Sequence, residues 1–159
     1  MRRKRNYKRN FLGDIKYDSV EVTRFINVLM QDGKKTVAER VLYDALDIVE
    51  KETKEKALDV FNKALDNVTP TVEVSRKRVG GANYQVPIEV RPERKFMLAV
   101  RWIIGAANSS SGKPMSVRLA QEFIQASKGE GAAIKKKEDV HKMAEANRAF
   151  AHFARARRR

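Results

Sequence analysis

The chain has 159 residues, of which 34 are lysine or arginine and 20 are aspartate or glutamate, giving a formal net charge of +14. A hydrophobic fraction of 42% suffices for a packed core and argues against a disordered basic tail. The absence of cysteine excludes disulfides, thiolate zinc sites and cysteine nucleophiles. This charge excess makes nucleic acid the first expected partner and an anionic membrane surface the second. Neither a secretory signal nor an apolar run of transmembrane length is expected.

The basic residues are concentrated at the two ends of the chain. Residues 1–16 contain seven lysines or arginines and one acid, and residues 148–159 contain five arginines and no acid. Residues 39–73 are instead mildly acidic, with nine acids and five bases. We therefore expect a single nucleic-acid-binding domain over residues 1–159, with a basic extension at 1–16 and a basic tail at 148–159. The alternative is that these ends are only solvated and solubilising.

The first half of the chain predicts three helices. Asp18-Ser-Val-Glu21 has the pattern of a capping box, and the helix that it opens should end at Gly33. A second helix should begin near Thr36. Thr53 is expected to cap a third helix, and Pro70 prevents that helix from continuing.

Residues 72–90 predict a β-ribbon arm. Two runs with β-branched residues at every second position flank a Gly80-Gly81 turn, which is the pattern of a hairpin. The residues from Arg76 to Arg78 lie near its tip, and Tyr84 lies on the returning strand. An isolated two-stranded ribbon is marginal in water, so we expect this arm to lie on a partner, with phosphate the first candidate. Tyr84 either stacks on an exposed base or packs within the ribbon.

The second half of the chain predicts three more helices. Pro92 suits the first turn of the fourth helix. Pro114 opens the fifth, which should stop at Gly129, and a sixth should run from Ala132 to about Phe153. The expected fold is mainly α: a six-helix single domain with an inserted two-stranded antiparallel β-ribbon and basic N- and C-terminal tails.

No motif in the sequence predicts catalysis. The segment from Gly105 to Lys113 superficially resembles a phosphate-binding loop, but its glycine spacing is wrong and Pro114 replaces the required serine or threonine. His141 and Glu145 lie one helical turn apart without a third ligand, so a surface or helix-packing histidine is expected. No nucleophile is paired with a base. We expect no enzyme activity, no metal and no cofactor.

Cations near helix starts and turns are better candidates for a site. Lys34 and Lys35 lie between the first two helices, where ammonium groups and free backbone amides would form a phosphate site, although an ordinary polar turn explains them equally well. Further candidates are Arg94, Lys95 and Arg101 on the fourth helix, and Lys113 and Arg118 at the start of the fifth. Arg94 and Arg101 are seven residues apart and hence share a helix face.

Several long strings of residues occur in the order of one known family. They are Arg24-Phe-Ile-Asn27 with Met30, Gly33-Lys-Lys35, Val74-Ser-Arg-Lys-Arg-Val-Gly-Gly-Ala-Asn-Tyr-Gln-Val-Pro87, Val90-Arg-Pro92, Ala99-Val-Arg-Trp102 and His141-Lys-Met-Ala-Glu-Ala-Asn-Arg-Ala-Phe-Ala-His152. On these strings the chain resembles the bacterial small-subunit ribosomal protein family seven over nearly its whole length.

The resemblance implies a six-helix body with a ribbon that binds the 3′ major domain of small-subunit ribosomal RNA. It implies a primary binder that nucleates assembly of the head of the subunit, in the cytoplasmic ribosome. It also implies a place at the subunit interface near the decoding centre. The ribbon and C-terminal region would face the exit-site tRNA and the mRNA path, with small-subunit ribosomal proteins nine and eleven as neighbours.

The resemblance also assigns RNA contacts by motif position, and these join the candidates taken from the residues alone. The full expected set is Arg3, Lys4, Arg5, Lys8, Arg9, Lys34, Lys35, Arg76, Lys77, Arg78, Tyr84, Arg94, Lys95, Arg101, Lys113 and Arg118. Two places depart from the family. Gly13 and Ile15 stand where prolines often flank Asp14, and the C-terminal Phe153-Ala154-Arg155 and Arg157-Arg158-Arg159 replace a frequent tyrosine, arginine and tryptophan.

Two other classes of protein fit the charge less well. DNA-bending proteins also use basic ribbon arms, but they insert apolar wedges, and the tip here offers only Gly80, Gly81 and Ala82. A membrane-surface protein would gather its basic residues along one amphipathic helix, whereas here they are divided among turns, ribbon and tails.

Overall fold

The computed structural model describes the backbone of residues 11–157 and the side chains of residues 11–154. Over this range it contains six α-helices, one 3₁₀ helix and one two-stranded sheet. The helices are α1 (Val20–Leu29), α2 (Lys35–Thr53), α3 (Ala57–Val68), α4 (Pro92–Ser109), α5 (Met115–Ser127), α6 (Ala132–Ala146) and the 3₁₀ helix η1 (Arg148–Arg157), and the strands are β1 (Val72–Val79) and β2 (Ala82–Glu89). The predicted fold class, mainly α with one inserted antiparallel ribbon, is confirmed.

The chain divides into two compact units, Met1–Arg40 and Val41–Arg159. In the first unit, α1 buries Val22, Phe25 and Ile26, which recur at helical spacing along one face. In the second unit, α3 packs against α5, and the rings of Phe61 and Phe123 meet edge to face with centroids 5.4 Å apart. Helix α4 packs on α5 and α6 in the same unit, so α4 is anchored to this core.

The ribbon forms as predicted, with β1 and β2 antiparallel and joined by Gly80 and Gly81. Both glycines have positive φ, +58° and +93°, as the central positions of a type I′ hairpin turn require. The register pairs Lys77 with Tyr84. Since side chains alternate between the faces of a strand, Lys77 and Tyr84 share one face, and the neighbours of Lys77 point to the other.

The predicted capping box at the start of α1 is wrong. The N-cap is Ser19, which has extended backbone and makes no side-chain cap bond. Asp18 has a positive φ of 47°, and its amide donates a hydrogen bond to the Asp14 carbonyl at 2.8 Å. Its carboxylate points into the space that a Cβ on Gly13 would occupy. The left-handed backbone at Asp18 therefore directs the side chain away from the helix amides.

Thr53 does not cap α3 as expected, because it is the last residue of α2. Its hydroxyl donates to the Val49 carbonyl at 2.8 Å, one turn back in the same helix. The N-cap of α3 is Lys56, without a side-chain cap bond. Because the Thr53 hydroxyl already donates to a carbonyl in the last turn of α2, α3 begins without a side-chain cap.

The predicted sixth helix, from Ala132 to about Phe153, is divided into two. Helix α6 ends at Ala146, and the chain continues as the 3₁₀ helix η1. Asn147 marks the break, since its backbone leaves the helical region and its Nδ2 donates to the Met143 carbonyl at 2.8 Å. The break brings η1 against β2 of the ribbon.

Candidate nucleic-acid interface

The predicted contacts in the N-terminal extension, Arg3, Lys4, Arg5, Lys8 and Arg9, lie outside the described residues. The described part of the extension contains a turn built on Asp14, which is only 7% exposed. The Asp14 carboxylate accepts hydrogen bonds from the backbone amides of Lys16 at 3.1 Å and Tyr17 at 3.4 Å. Ile15, at the crest of this turn, is 97% exposed.

Lys34 and Lys35 are both exposed at the start of α2. The Nζ of Lys35 lies 3.5 Å from a carboxylate oxygen of Glu39, and that of Lys34 lies 3.9 Å from one of Asp32. Exposed ion pairs with contacts as long as these contribute little to stability, so a phosphate can take over either ammonium group at small cost.

The backbone amides of Lys34 and Lys35, expected to be free for a phosphate, both donate hydrogen bonds within the turn. The amide of Lys34 donates to the Gln31 carbonyl at 3.0 Å, and that of Lys35 donates to the Gly33 carbonyl at 2.9 Å. The amides left without an intrahelical acceptor are those of Thr36 and Val37, since the amide of Ala38 donates to the Lys34 carbonyl at 3.3 Å. A phosphate here would therefore meet the two ammonium groups and the helix N-terminus, but not the amides of Lys34 and Lys35.

The three basic residues of β1 are divided between the faces of the ribbon. Arg76 and Arg78 are exposed and, two residues apart, share a face. Lys77 is partly buried on the other face, where its Nζ donates to the Phe153 carbonyl and, at 3.4 Å, to the Ala154 carbonyl of η1. Arg76 and Arg78 are thus presented outward, while Lys77 caps a segment of its own chain.

Tyr84 packs against the C-terminal 3₁₀ helix. Its ring centroid lies 5.1 Å from that of Phe150 and 5.5 Å from that of Phe153. Tyr84 is partly buried by these contacts. Tyr84 therefore packs against the C-terminal 3₁₀ helix and not within the ribbon, and its stacking on a base stays a prediction.

The candidates on α4 occupy its first three turns. Arg94 and Arg101 are exposed on one face, and Lys95 is partly buried. The Nε of Arg94 donates to both carboxylate oxygens of Glu73 on β1, at 2.7 and 2.8 Å. The hydrogen bond and charge of Glu73 raise the pKa of Arg94, so its guanidinium stays protonated.

Of the two candidates near α5, Lys113 is exposed in the loop and Arg118 is held by the end of α4. The Nη1 of Arg118 donates to the carbonyls of Ala107 at 2.9 Å, Asn108 at 3.4 Å and Ser110. Cations at a helix C-terminus satisfy its orphan carbonyls and complement its dipole. The geometry assigns Arg118 a helix-capping role within the protein.

Sequence reasoning missed two contacts that α6 makes with the segment leading into the ribbon. The Nζ of Lys137 donates to the Asn67 carbonyl at 2.6 Å, and the Nε2 of His141 accepts from the Thr71 amide at 3.3 Å. Burial and the charge of Lys137 lower the pKa of His141, which favours the neutral, accepting imidazole. The i, i+4 spacing of Lys137 and His141 is the one signal in the sequence that places them on a common face.

Other chemistries find no support in the part of the chain that the structure describes. Within residues 11–157, no group of three histidine or acidic side chains is arranged to hold a metal ion. Within that same range, no helix is both long enough and apolar enough to cross a membrane. His141, expected to be a surface or helix-packing histidine, accepts the Thr71 amide and belongs to no such group.

Comparison with known proteins identifies the family. Residues 1–148 match the family described as ribosomal protein S7p/S5e. The chain is 57% identical over 152 residues to the small ribosomal subunit protein uS7 of Neisseria meningitidis, an alignment that covers 96% of this chain and 97% of the relative. The proteins of the same name from Neisseria gonorrhoeae and Bordetella pertussis match with the same identity and coverage. The chain therefore belongs to the ribosomal protein S7p/S5e family.

Proposed function

We propose that this chain is a structural protein of the small ribosomal subunit, in the cytoplasmic ribosome, and that it binds ribosomal RNA as one domain over residues 1–159. The observation that carries this proposal is the 57% identity to small-subunit proteins over 96% of the chain. A net charge of +14 agrees with a polyanionic partner.

The exposed cations supply the contacts that this function needs. They lie at the start of α2 (Lys34, Lys35), on the outer face of the ribbon (Arg76, Arg78), on α4 (Arg94, Arg101) and in the loop before α5 (Lys113). RNA helices that converge at a junction repel one another through their phosphates. Cations fixed on folded elements offset that repulsion at several points and release counterions, so affinity should fall steeply with salt.

The specificity of such an interface should come from RNA shape. The deep major groove of A-form RNA cannot be read by side chains, so sequence information must come from junction geometry and single-stranded bases. Rigid elements favour this kind of recognition because the cations on any one element have a fixed spacing. The ribbon adds two exposed arginines, Arg76 and Arg78, to the charged surface.

We extend the proposal to the 3′ major domain of the small-subunit RNA, where the chain would be a primary binder that nucleates assembly of the head. A primary binder must recognise naked RNA. Chemical footprinting of the isolated 3′ major domain with this protein alone should protect one contiguous junction. If protection required the prior binding of other small-subunit proteins, nucleation would be the wrong role.

The ribbon would lie at the subunit interface near the decoding centre and face the exit-site tRNA and the mRNA path, with small-subunit proteins nine and eleven as neighbours. Arg76 and Arg78 support this because they are exposed on the ribbon face opposite Lys77. Replacing both with alanine should leave affinity for the RNA junction within a few-fold but disturb tRNA release or fidelity. A collapse of RNA affinity would instead make the ribbon a primary anchor.

A further inference from the structure

Arg94 is held at one edge of its guanidinium and open at another. Its Nε donates to both oxygens of Glu73, at 2.7 and 2.8 Å. Neither Nη atom donates a hydrogen bond to any residue that the structure describes. The side chain of Arg94 is 54% exposed, whereas that of Glu73 is 22% exposed. The less exposed carboxylate of Glu73 therefore holds the more exposed guanidinium of Arg94 through these two hydrogen bonds.

The geometry of the guanidinium decides which edge remains. The group is planar and trigonal, so the edge formed by the two Nη atoms lies opposite Nε. A carboxylate on Nε leaves that edge free for a second oxyanion, and the paired Nη donors match phosphate oxygens. Glu73 and a phosphate would thus occupy different edges of the same cation, so they need not compete for the same donors.

We propose that Glu73 is a positioning residue, which orients Arg94 so that its Nη edge receives an RNA phosphate at the root of the ribbon. This inference rests on the proposed RNA-binding function and names a determinant of that interface. A free arginine side chain must be ordered when it binds, and Glu73 has already ordered this one. Glu73 lies on β1 and Arg94 on α4, so the pair also fixes the phosphate site relative to both elements.

The test is a double-mutant cycle on binding to a 3′-major-domain junction RNA. The variants are Glu73→Ala, Arg94→Ala and the two combined, in the full-length chain. Glu73→Ala should weaken binding by about three- to tenfold, the cost of ordering one long side chain. Arg94→Ala should also lower the log–log salt slope by about one. With Arg94 already removed, Glu73→Ala should cause no further loss.

Glu89→Ala is the matched control, because Glu89 is an exposed acid at the root of the same ribbon, on β2. Removing this negative charge should leave affinity unchanged or slightly increase it. Thermal melting reports whether each variant folds. Should Glu73→Ala fail to fold, Glu73→Gln removes the charge at nearly constant shape, and a smaller loss of the same sign is expected.

Two results would overturn the inference. Tighter binding by Glu73→Ala would show that Glu73 competes with phosphate for Arg94. An equal loss with and without Arg94 would show that Glu73 supports the ribbon in general. Both differ from failure of the proposed function, in which the unmodified chain would not prefer the junction RNA at all.

Discussion

Lys77 and Tyr84 face each other across the ribbon, and both contact the C-terminal 3₁₀ helix. The ammonium group of Lys77 binds carbonyls of η1, while the ring of Tyr84 meets Phe150 and Phe153. One face of the ribbon is thereby engaged within the protein. The other face presents Arg76 and Arg78 outward, so one face of the ribbon packs within the protein and the other is exposed.

The aromatic contact predicts a stability effect at Tyr84. Tyr84→Ala removes the ring contacts with Phe150 and Phe153 and should lower the free energy of unfolding by about 1 to 2 kcal/mol, since the ring is only partly buried. Tyr84→Phe, which keeps the ring, is the control and should be nearly neutral. Urea denaturation measures both. If Tyr84→Ala left stability unchanged but weakened RNA binding, Tyr84 would belong to the RNA interface.

Arg118 should likewise matter for folding more than for RNA. Its three hydrogen bonds to the carbonyls at the end of α4 predict that Arg118→Ala lowers the free energy of unfolding by about 1.5 to 3 kcal/mol. Lys113→Ala, in the same loop region, removes an exposed cation and should leave stability unchanged. Equal stability of the two variants in chemical denaturation would contradict the capping role.

Glu122 should make stability depend on pH. This carboxylate of α5 is 7% exposed, and its Oε1 accepts the Ala133 amide at 2.8 Å at the start of α6. Gly131 allows this close approach, since a Cβ there would lie 3.0 Å from the same oxygen. Burial raises the pKa of Glu122 above its ordinary value of 4.5, although backbone hydrogen bonds from Ala133 and Ala132 oppose the shift.

The direction of this pH dependence follows from the linkage between proton binding and folding. A carboxyl group with a raised folded-state pKa holds its proton more tightly when folded, so its stabilising contribution is complete below the unfolded-state pKa. That contribution is lost as pH rises through the raised folded-state pKa. Glu122→Gln should abolish this loss. Glu122→Ala also removes the acceptor and should cost about 1 kcal/mol. Denaturant titrations over a pH series measure these effects.

Glu130→Gln is the control for this pH series, because Glu130 is an exposed acid in the adjoining loop. It should reproduce the pH dependence of the unmodified chain. A Glu122→Gln variant with that same pH dependence would show that the buried carboxyl is not its source.

Local signals explain most of what the sequence predicted correctly. The hairpin at Gly80-Gly81, between alternating β-branched runs, can be predicted from the backbone preferences of a type I′ turn alone. The start of α4 at Pro92 can be predicted from the geometry of a first helical turn alone. The capping box failed because the left-handed backbone at Asp18 overrides a side-chain pattern. The sixth helix was predicted too long because its end depends on Asn147 and on the packing of η1 against the ribbon.

The candidate site likewise combines features that local sequence rules predict with long-range contacts that they do not. The alternation of β1 was already sufficient to separate Lys77 from Arg76 and Arg78. What the sequence could not show is that the C-terminal segment covers the Lys77 face, because that interaction joins residues 76 positions apart. The Arg94–Glu73 pair joins a helix to a strand, and no spacing rule predicts it.

The N-terminal extension should carry a large share of RNA affinity. Residues 1–10 contain six lysines or arginines. Removing these ten residues should weaken RNA binding strongly and reduce the log–log salt slope by about 0.7 to 0.9 for each phosphate that is no longer neutralised. A full-length variant with glutamine at the same six positions controls for chain length. Unchanged affinity and slope after truncation would show that this segment does not bind the RNA.

The most direct test of the central claim is a salt titration of binding to a 3′-major-domain junction RNA. An equal-length random RNA and a duplex DNA serve as competitors. The proposed function predicts a strong preference for the junction RNA that survives moderate salt, because shape recognition persists as the common electrostatic attraction is screened. Equal affinity for all three nucleic acids, disappearing together as salt rises, would contradict it and show that the protein reads charge alone.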